Sequence, residues 1–152
     1  MELDKEKIHH YQKNRDQFLM MDHVSDIKAG SYANGFKNLN EDQWYFKIHW
    51  PGDPNMPATL QMECLTQLSA LPILIMPENE GKFMYIVSAS NLKFKKKVTP
   101  EYKKLDLETK IISFKRGLAT CTGSAYLNGE LACSADFILM LADEIEKFRV
   151  KI

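Results

Sequence analysis

Hydrophobic and polar positions change rhythm twice along this chain. Residues 4–13 (DKEKIHHYQK) are polar and predict a short helix leading into the apolar FLMMDHV, residues 18–24. Turn formers then crowd GSYANGFKNLNEDQ, where Gly30, Asn34, Gly35 and Asn38 are expected to separate short strand-like pieces. QWYFKIHW, residues 43–50, is rich in aromatics with a polar break and predicts a strand near whose end His49 sits. In ATLQMECLTQLSALPILIM, residues 58–76, the period lengthens: Leu60, Glu63, Cys64, Gln67 and Leu71 follow helical spacing. Most remaining positions there are apolar or small too, and a helix apolar nearly all round is a buried one. Pro72 is expected to end or kink it.

The second half returns to strand rhythm in KFMYIVSASNLKFKKKV, LDLETKIISFKRG and LATCTGSAYLNGELACSADFILMLA. Asn128-Gly129 between alternating segments predicts a two-residue hairpin. Only ADEIEKFRV, residues 142–150, suggests a helical end. One buried helix and several long strands imply an α+β fold, with a curved antiparallel sheet wrapped around the helix.

Composition narrows the class. A chain of 152 residues is expected to form one domain, 1–152, with residues 1–13 as an N-terminal helical extension. Twenty basic residues balance twenty acidic ones, so no net charge favours nucleic acid or an anionic membrane. The opening MELDKEKIHHYQKNRD lacks the apolar run of a signal peptide, and the window from Leu65 to Met76 is too short to span a bilayer. Cys64, Cys121 and Cys133 show no CxxC spacing, so free core thiols in a cytoplasmic protein are expected rather than disulfides or a zinc site.

The candidate chemistry sits in HWPGDPNMPATLQME, residues 49–63. Prolines 51, 54 and 57 stiffen the loop after His49, and Pro57 delivers the chain into the helix. The first N–H groups of that helix, at Ala58 and Thr59, are free to face a carbonyl oxygen gaining negative charge. Glu63 follows about a turn and a half later between Met62 and Cys64, and apolar surroundings favour the proton-donating form of a carboxylic acid. A base at 49 and an acid at 63 suit proton removal beside a carbonyl with loss of a neighbouring hydroxyl. On pattern alone, a structural histidine and a carboxylate paired to a lysine fit as well.

These residues resemble the β-hydroxyacyl-acyl-carrier-protein dehydratases of fatty-acid synthesis, which have the hotdog fold. NRDQFLMMDHV is similar to the family's HRYPFLLVDRV, and HWPGDPNMPATLQMECLTQ to H-F-P-G-x-P-x-M-P-G-x-L-x-x-E-x-x-x-Q. NLKFKKKV resembles NARFKRPV, and RGLATCTGSAYLNGELACSA the closing hairpin, so the resemblance runs from about residue 14 to the end. It implies that His49 takes the C2 proton and Glu63 protonates the departing C3 hydroxyl, giving a trans-2-enoyl thioester and water. Gln67 would hold the Glu63 carboxyl, and the backbone N–H of Ala58, where the family has glycine, would bind the thioester carbonyl. No cofactor and no metal are implied. The partner implied is an acyl carrier protein bearing a 3-hydroxyacyl phosphopantetheine thioester. The assembly is a homodimer, extending in some members to a trimer of dimers, with His and Glu of each site drawn from different subunits.

The chain departs from the motifs at Asn14, Ile48, Ala58 and Glu101-Tyr102. Asp53 is shared with a dehydratase/isomerase branch that carries aspartate at the place of Glu63, so the glutamate points to the plain dehydratases. Lys93, Lys95, Lys96 and Lys97, with Arg116 and Lys115 as weaker candidates, suit either docking of an acidic carrier protein or protection of an exposed strand edge. Trp44, Phe46 and Trp50 line an acyl tunnel or fill the core, and Met20, Met21, Met56 and Met62 pose the same choice. Two other functions fit the fold: an acyl-thioesterase whose carboxylate activates water, and a non-catalytic acyl-binding subunit. Retention of both His49 and Glu63 argues against the second.

Overall fold

The computed structural model describes residues 1–144. Helix α1, Lys5–Tyr11, opens on Asp4, whose carboxylate accepts the Lys7 N–H at 2.9 Å. Strands β1 (His23–Lys28) and β2 (Tyr32–Asn38) pair antiparallel. A short helix α2 (Trp44–Ile48) and the long helix α3 (Ala58–Leu74) follow. Four strands complete the chain: β3 (Met84–Phe94), β4 (Lys104–Lys115), β5 (Leu118–Leu127) and β6 (Glu130–Leu141). All pairings are antiparallel, in the spatial order β1-β2-β4-β5-β6-β3. The helix lies against β2, β4, β5 and β6, which is the hotdog arrangement.

The sheet's inner face follows from alternation. Along β5, Ala119, Cys121, Gly123, Ala125 and Leu127 point inward, and the small size of the first four lets α3 approach closely. A Cβ on Gly123 would meet Leu65 of the helix at 3.2 Å. Leu105, Leu107, Phe137 and Leu139 pack around the same helix, with Leu68, Leu71 and Ile73 on its side of the core. The Asn128-Gly129 hairpin forms as expected, with φ of 49° and 81° that match a type I′ turn. The three cysteines are buried and unpaired, as expected of small core residues. Burial pushes all three thiols up, Cys121 to about 11 and Cys133 to about 12.

Several local expectations are corrected. Residues 44–48 are a helix, not a strand: Tyr45 and Phe46 are buried in succession while Ile48 is 66% exposed, a pattern that alternation cannot produce. Asn34-Gly35 is not a turn but the middle of β2, where glycine is needed because a Cβ would overlap the His23 carbonyl of β1. Helix α3 runs through Pro72 and stops two residues later, at Leu74. Its first turn is open, with Ala58 and Thr59 exposed and Glu63 half-buried, so it is not enclosed along its whole length. Of the predicted helical end at 142–150, residues 142–144 are helical and the rest lies outside the described residues. Among the described residues no helix is long and apolar enough to cross a membrane, and no three of His, Cys, Asp and Glu converge as a metal site requires.

Candidate active site

His49 caps the C-terminus of α2, its N–H donating to the Tyr45 carbonyl at 3.1 Å. The chain then reverses through Trp50-Pro51-Gly52-Asp53. Proline stands at the second position, glycine with φ of 87° at the third, and the Asp53 N–H bonds the Trp50 carbonyl at 2.9 Å, the pattern of a type II turn. The turn returns Asn55 beneath the imidazole, and His49 Nδ1 lies 2.9 Å from the Asn55 carbonyl oxygen. A carbonyl only accepts, so Nδ1 carries the proton and Nε2 presents a lone pair. The Trp50 ring stacks on the imidazole with centroids 4.8 Å apart and stands 57% exposed.

Met56 is anchored by its N–H to the Val98 carbonyl (2.8 Å), and Pro57 begins α3. Hydrogen bonding in the helix starts with the Leu60 and Gln61 N–H groups on the Pro57 carbonyl, at 3.0 and 3.1 Å. The Ala58 N–H therefore precedes the ladder, and as the first helical residue Ala58 has the backbone that glycine would also adopt there. His49, Ala58 and Gln61 line one cavity of about 430 Å³, walled on its other side by Phe94 and Lys95.

Glu63 lies elsewhere. With Gln67, Ala70, Phe83 and Tyr85 it lines a second cavity, of about 220 Å³, to which Asn14 also contributes. Gln67 Nε2 donates to the Glu63 carboxylate at 2.7 Å and to the Phe18 carbonyl at 2.7 Å, while its Oε1 accepts the Met20 N–H at 2.9 Å. Because the amide is held from three sides and is itself buried, the carboxylate it touches is oriented too. One turn of helix separates the two residues, as their spacing predicts. Within one chain, then, the candidates fall into two groups, His49 with Ala58 and Glu63 with Gln67, each opening beside a different end of β3.

The basic candidates also divide. Lys96 donates to Glu130 at 2.5 Å, and this bond holds the lysine above and the glutamate below their usual ranges. Lys97 pairs with Asp53 at 2.8 Å. Lys93 and Lys95 carry no ion pair among the described residues. Arg116 lies in the β4–β5 turn, where the Gly117 carbonyl meets the Leu141 end of β6, and so stands at the far end of β3 from Lys95–Lys97, roughly 30 Å away. It does not belong to the same patch of one chain, because the hairpin places it at the opposite rim. Of the tunnel candidates, Phe46, Met20 and Met21 are core residues, Trp44 is half-buried away from both cavities, and Met62 is half-buried against the core. Buried Met56 lines the His49 cavity together with Trp50, which stacks on the imidazole. Asn55 was not singled out in the sequence, although its place inside the proline-stiffened loop was the available signal.

The FabA-like domain family matches residues 13–136. A 3-hydroxyacyl-[acyl-carrier-protein] dehydratase FabZ of Moorella thermoacetica is 35% identical over 133 residues, covering 88% of this chain and 92% of that protein. The FabZ of Bacillus subtilis is 32% identical over 141 residues, 93% of this chain and 99% of that one. Among solved structures, the dehydratase heterocomplex ApeI:P from Xenorhabdus doucetiae superposes with a TM-score of 0.74 at 8% identity, over 92% of this chain and 95% of that one. A putative thioesterase of Ralstonia eutropha gives 0.61 at 13% identity over 77% and 82%; both likenesses concern the fold. With family, fold and near full-length similarity in agreement, this chain belongs to the FabA-like family, alongside the FabZ dehydratases.

Proposed function

We propose that this chain is a 3-hydroxyacyl-[acyl-carrier-protein] dehydratase working in the cytoplasm as a homodimer, with each active site made by His49 of one subunit and Glu63 of the other. His49 Nε2 removes the C2 proton of a (3R)-3-hydroxyacyl thioester. Charge gathers on the thioester oxygen, which the Ala58 N–H at the start of α3 receives. Glu63 gives its proton to the C3 hydroxyl, the C3–O bond breaks, and water leaves a trans-2-enoyl thioester. The imidazolium and carboxylate then exchange one proton through solvent, restoring both. Lys95, at the rim of the His49 cavity, and Lys93, on β3 just before it, suit an acidic carrier protein.

The observation that carries this reading is the placement of the two cavities along β3. The Glu63 cavity borders Phe83–Ile86 at one end of the strand, and the His49 cavity borders Phe94–Lys97 at the other. Antiparallel pairing of β3 with a second β3 about a two-fold axis sets the first end of one copy beside the second end of the other. That operation brings each His49 cavity toward the partner's Glu63 cavity.

Enoyl-thioester formation, followed by absorbance and mass spectrometry, tests it. His49→Ala and Glu63→Gln should each lower the rate by about 10²-fold or more while leaving a folded dimer. Mixing and reassociating the two inactive variants should restore about a quarter of wild-type activity, since half the dimers are mixed and each holds one intact site. No recovery, from variants shown to exchange subunits, would place both groups in a single subunit.

A further inference from the structure

Two residues that lie off the family's motifs meet in space. Asp53 fills the variable place of H-F-P-G-x-P, and Lys97 stands where N-A-R-F-K-R-P-V has its proline. Lys97 Nζ donates to both carboxylate oxygens of Asp53, each at 2.8 Å. The next residue, Val98, is fully buried, and its carbonyl accepts the Met56 N–H. The His49 loop is thus fastened twice to the segment that follows β3. Its own bonds run inward from there. Asn55 Nδ2 donates to the Asp53 carbonyl at 2.8 Å, and the Asn55 carbonyl faces His49 Nδ1 at 2.9 Å.

We propose that the Asp53–Lys97 pair is a strap that positions His49, holding the Asn55 carbonyl against Nδ1 so that Nε2 stays unprotonated and aimed into the cavity. The proposal rests on His49 being the general base. Proline at 97 would leave Asp53 without its cation. The strap also withdraws Lys97 from carrier-protein docking, because its charge is already matched. Both side chains are about half exposed, so the pair is solvent-screened and its effect on rate is moderate.

A pantetheine thioester substrate, which leaves carrier docking out, separates the roles. Lys97→Met and Asp53→Asn should each lower kcat about three- to tenfold with KM changed less than twofold. Lys97→Arg, which keeps a donor for the carboxylate, should restore most of the rate. ¹⁵N spectra of the four histidines, with His49→Ala identifying the signal, give a readout independent of turnover. Neutral His49 should show the Nδ1–H tautomer alone in the wild type and a mixture in Lys97→Met. An unchanged tautomer and unchanged kcat in Lys97→Met would overturn the strap while leaving the base assignment intact. Full activity of His49→Ala would overturn the base assignment instead, and the tautomer spectrum alone would then decide whether the strap orders the ring.

Discussion

The two edges of the sheet are finished in opposite ways. On β1 the outward residues are Ser25, Asp26 and Lys28, and the strand's free groups are met within the chain. Leu3 and Val24 exchange N–H···O bonds of 2.9 Å, and the Ile27 N–H reaches the Met1 carbonyl at 3.0 Å. On β3, Tyr85, Ile86, Val87, Leu92 and Phe94 stand between 42% and 54% exposed, with Phe83 beside them. Strand edges are ordinarily blunted by charge or cover. Here β1 is blunted and most of β3 is not, its lysines being confined to the Phe94 end. Catalytic candidates lie only beside β3. In the proposed dimer the apolar edge is the one that meets a second copy, so assembling the protein and assembling the site would be one event.

The largest effect should come from charging the apolar edge. Val87→Asp should convert the dimer to monomer in size-exclusion chromatography and lower dehydration about 10²-fold or more, since neither chain alone joins base to acid. An active, dimeric Val87→Asp would mean that another surface makes the interface. A different failure is expected on β1. Leu3→Ala removes a fully buried side chain and should cost about 2 kcal/mol in denaturant unfolding, while dimer mass and kcat stay close to wild type. Loss of dimer there would erase the distinction between the edges. The smallest signal is thiol labelling. With Cys121 and Cys133 pushed up to about 11 and 12, native protein near pH 8 should label slowly at all three cysteines. Cys133 pairs with Phe94 of β3, so in Val87→Asp it should label faster than Cys64, which is buried in α3. Equal rates would show that β3 remains held without its partner.

Much of this was legible in the sequence, in proportion to how local the determinant is. The α3 helix and the Asn128-Gly129 hairpin depend on spacing within one element and form where expected, although α3 continues through Pro72. The bond from Gln67 to Glu63, implied by the family resemblance, spans one turn of the same helix. The α2 stretch failed because aromatic content signals burial without saying how the backbone delivers it. Asn34-Gly35 failed for a related reason: its glycine answers to the His23 carbonyl on the next strand, a contact that sequence adjacency does not display. His49 was found as a residue, but its holder, the Asn55 carbonyl, belongs to a turn whose geometry only the folded loop reveals. The separation of His49 from Glu63 could be read from neither residue. It depends on which end of β3 each cavity borders.

The pairing of Leu3 with Val24 has a further consequence, one of valence. A strand-edged subunit with two open edges can add copies without limit, which is the growth rule of a fibre. By occupying β1 with its own first residues, this chain reduces its edge valence to one, and the proposed association through β3 would consume it. The proposed homodimer would then close at two copies, with no open edge left to which a third sheet could add.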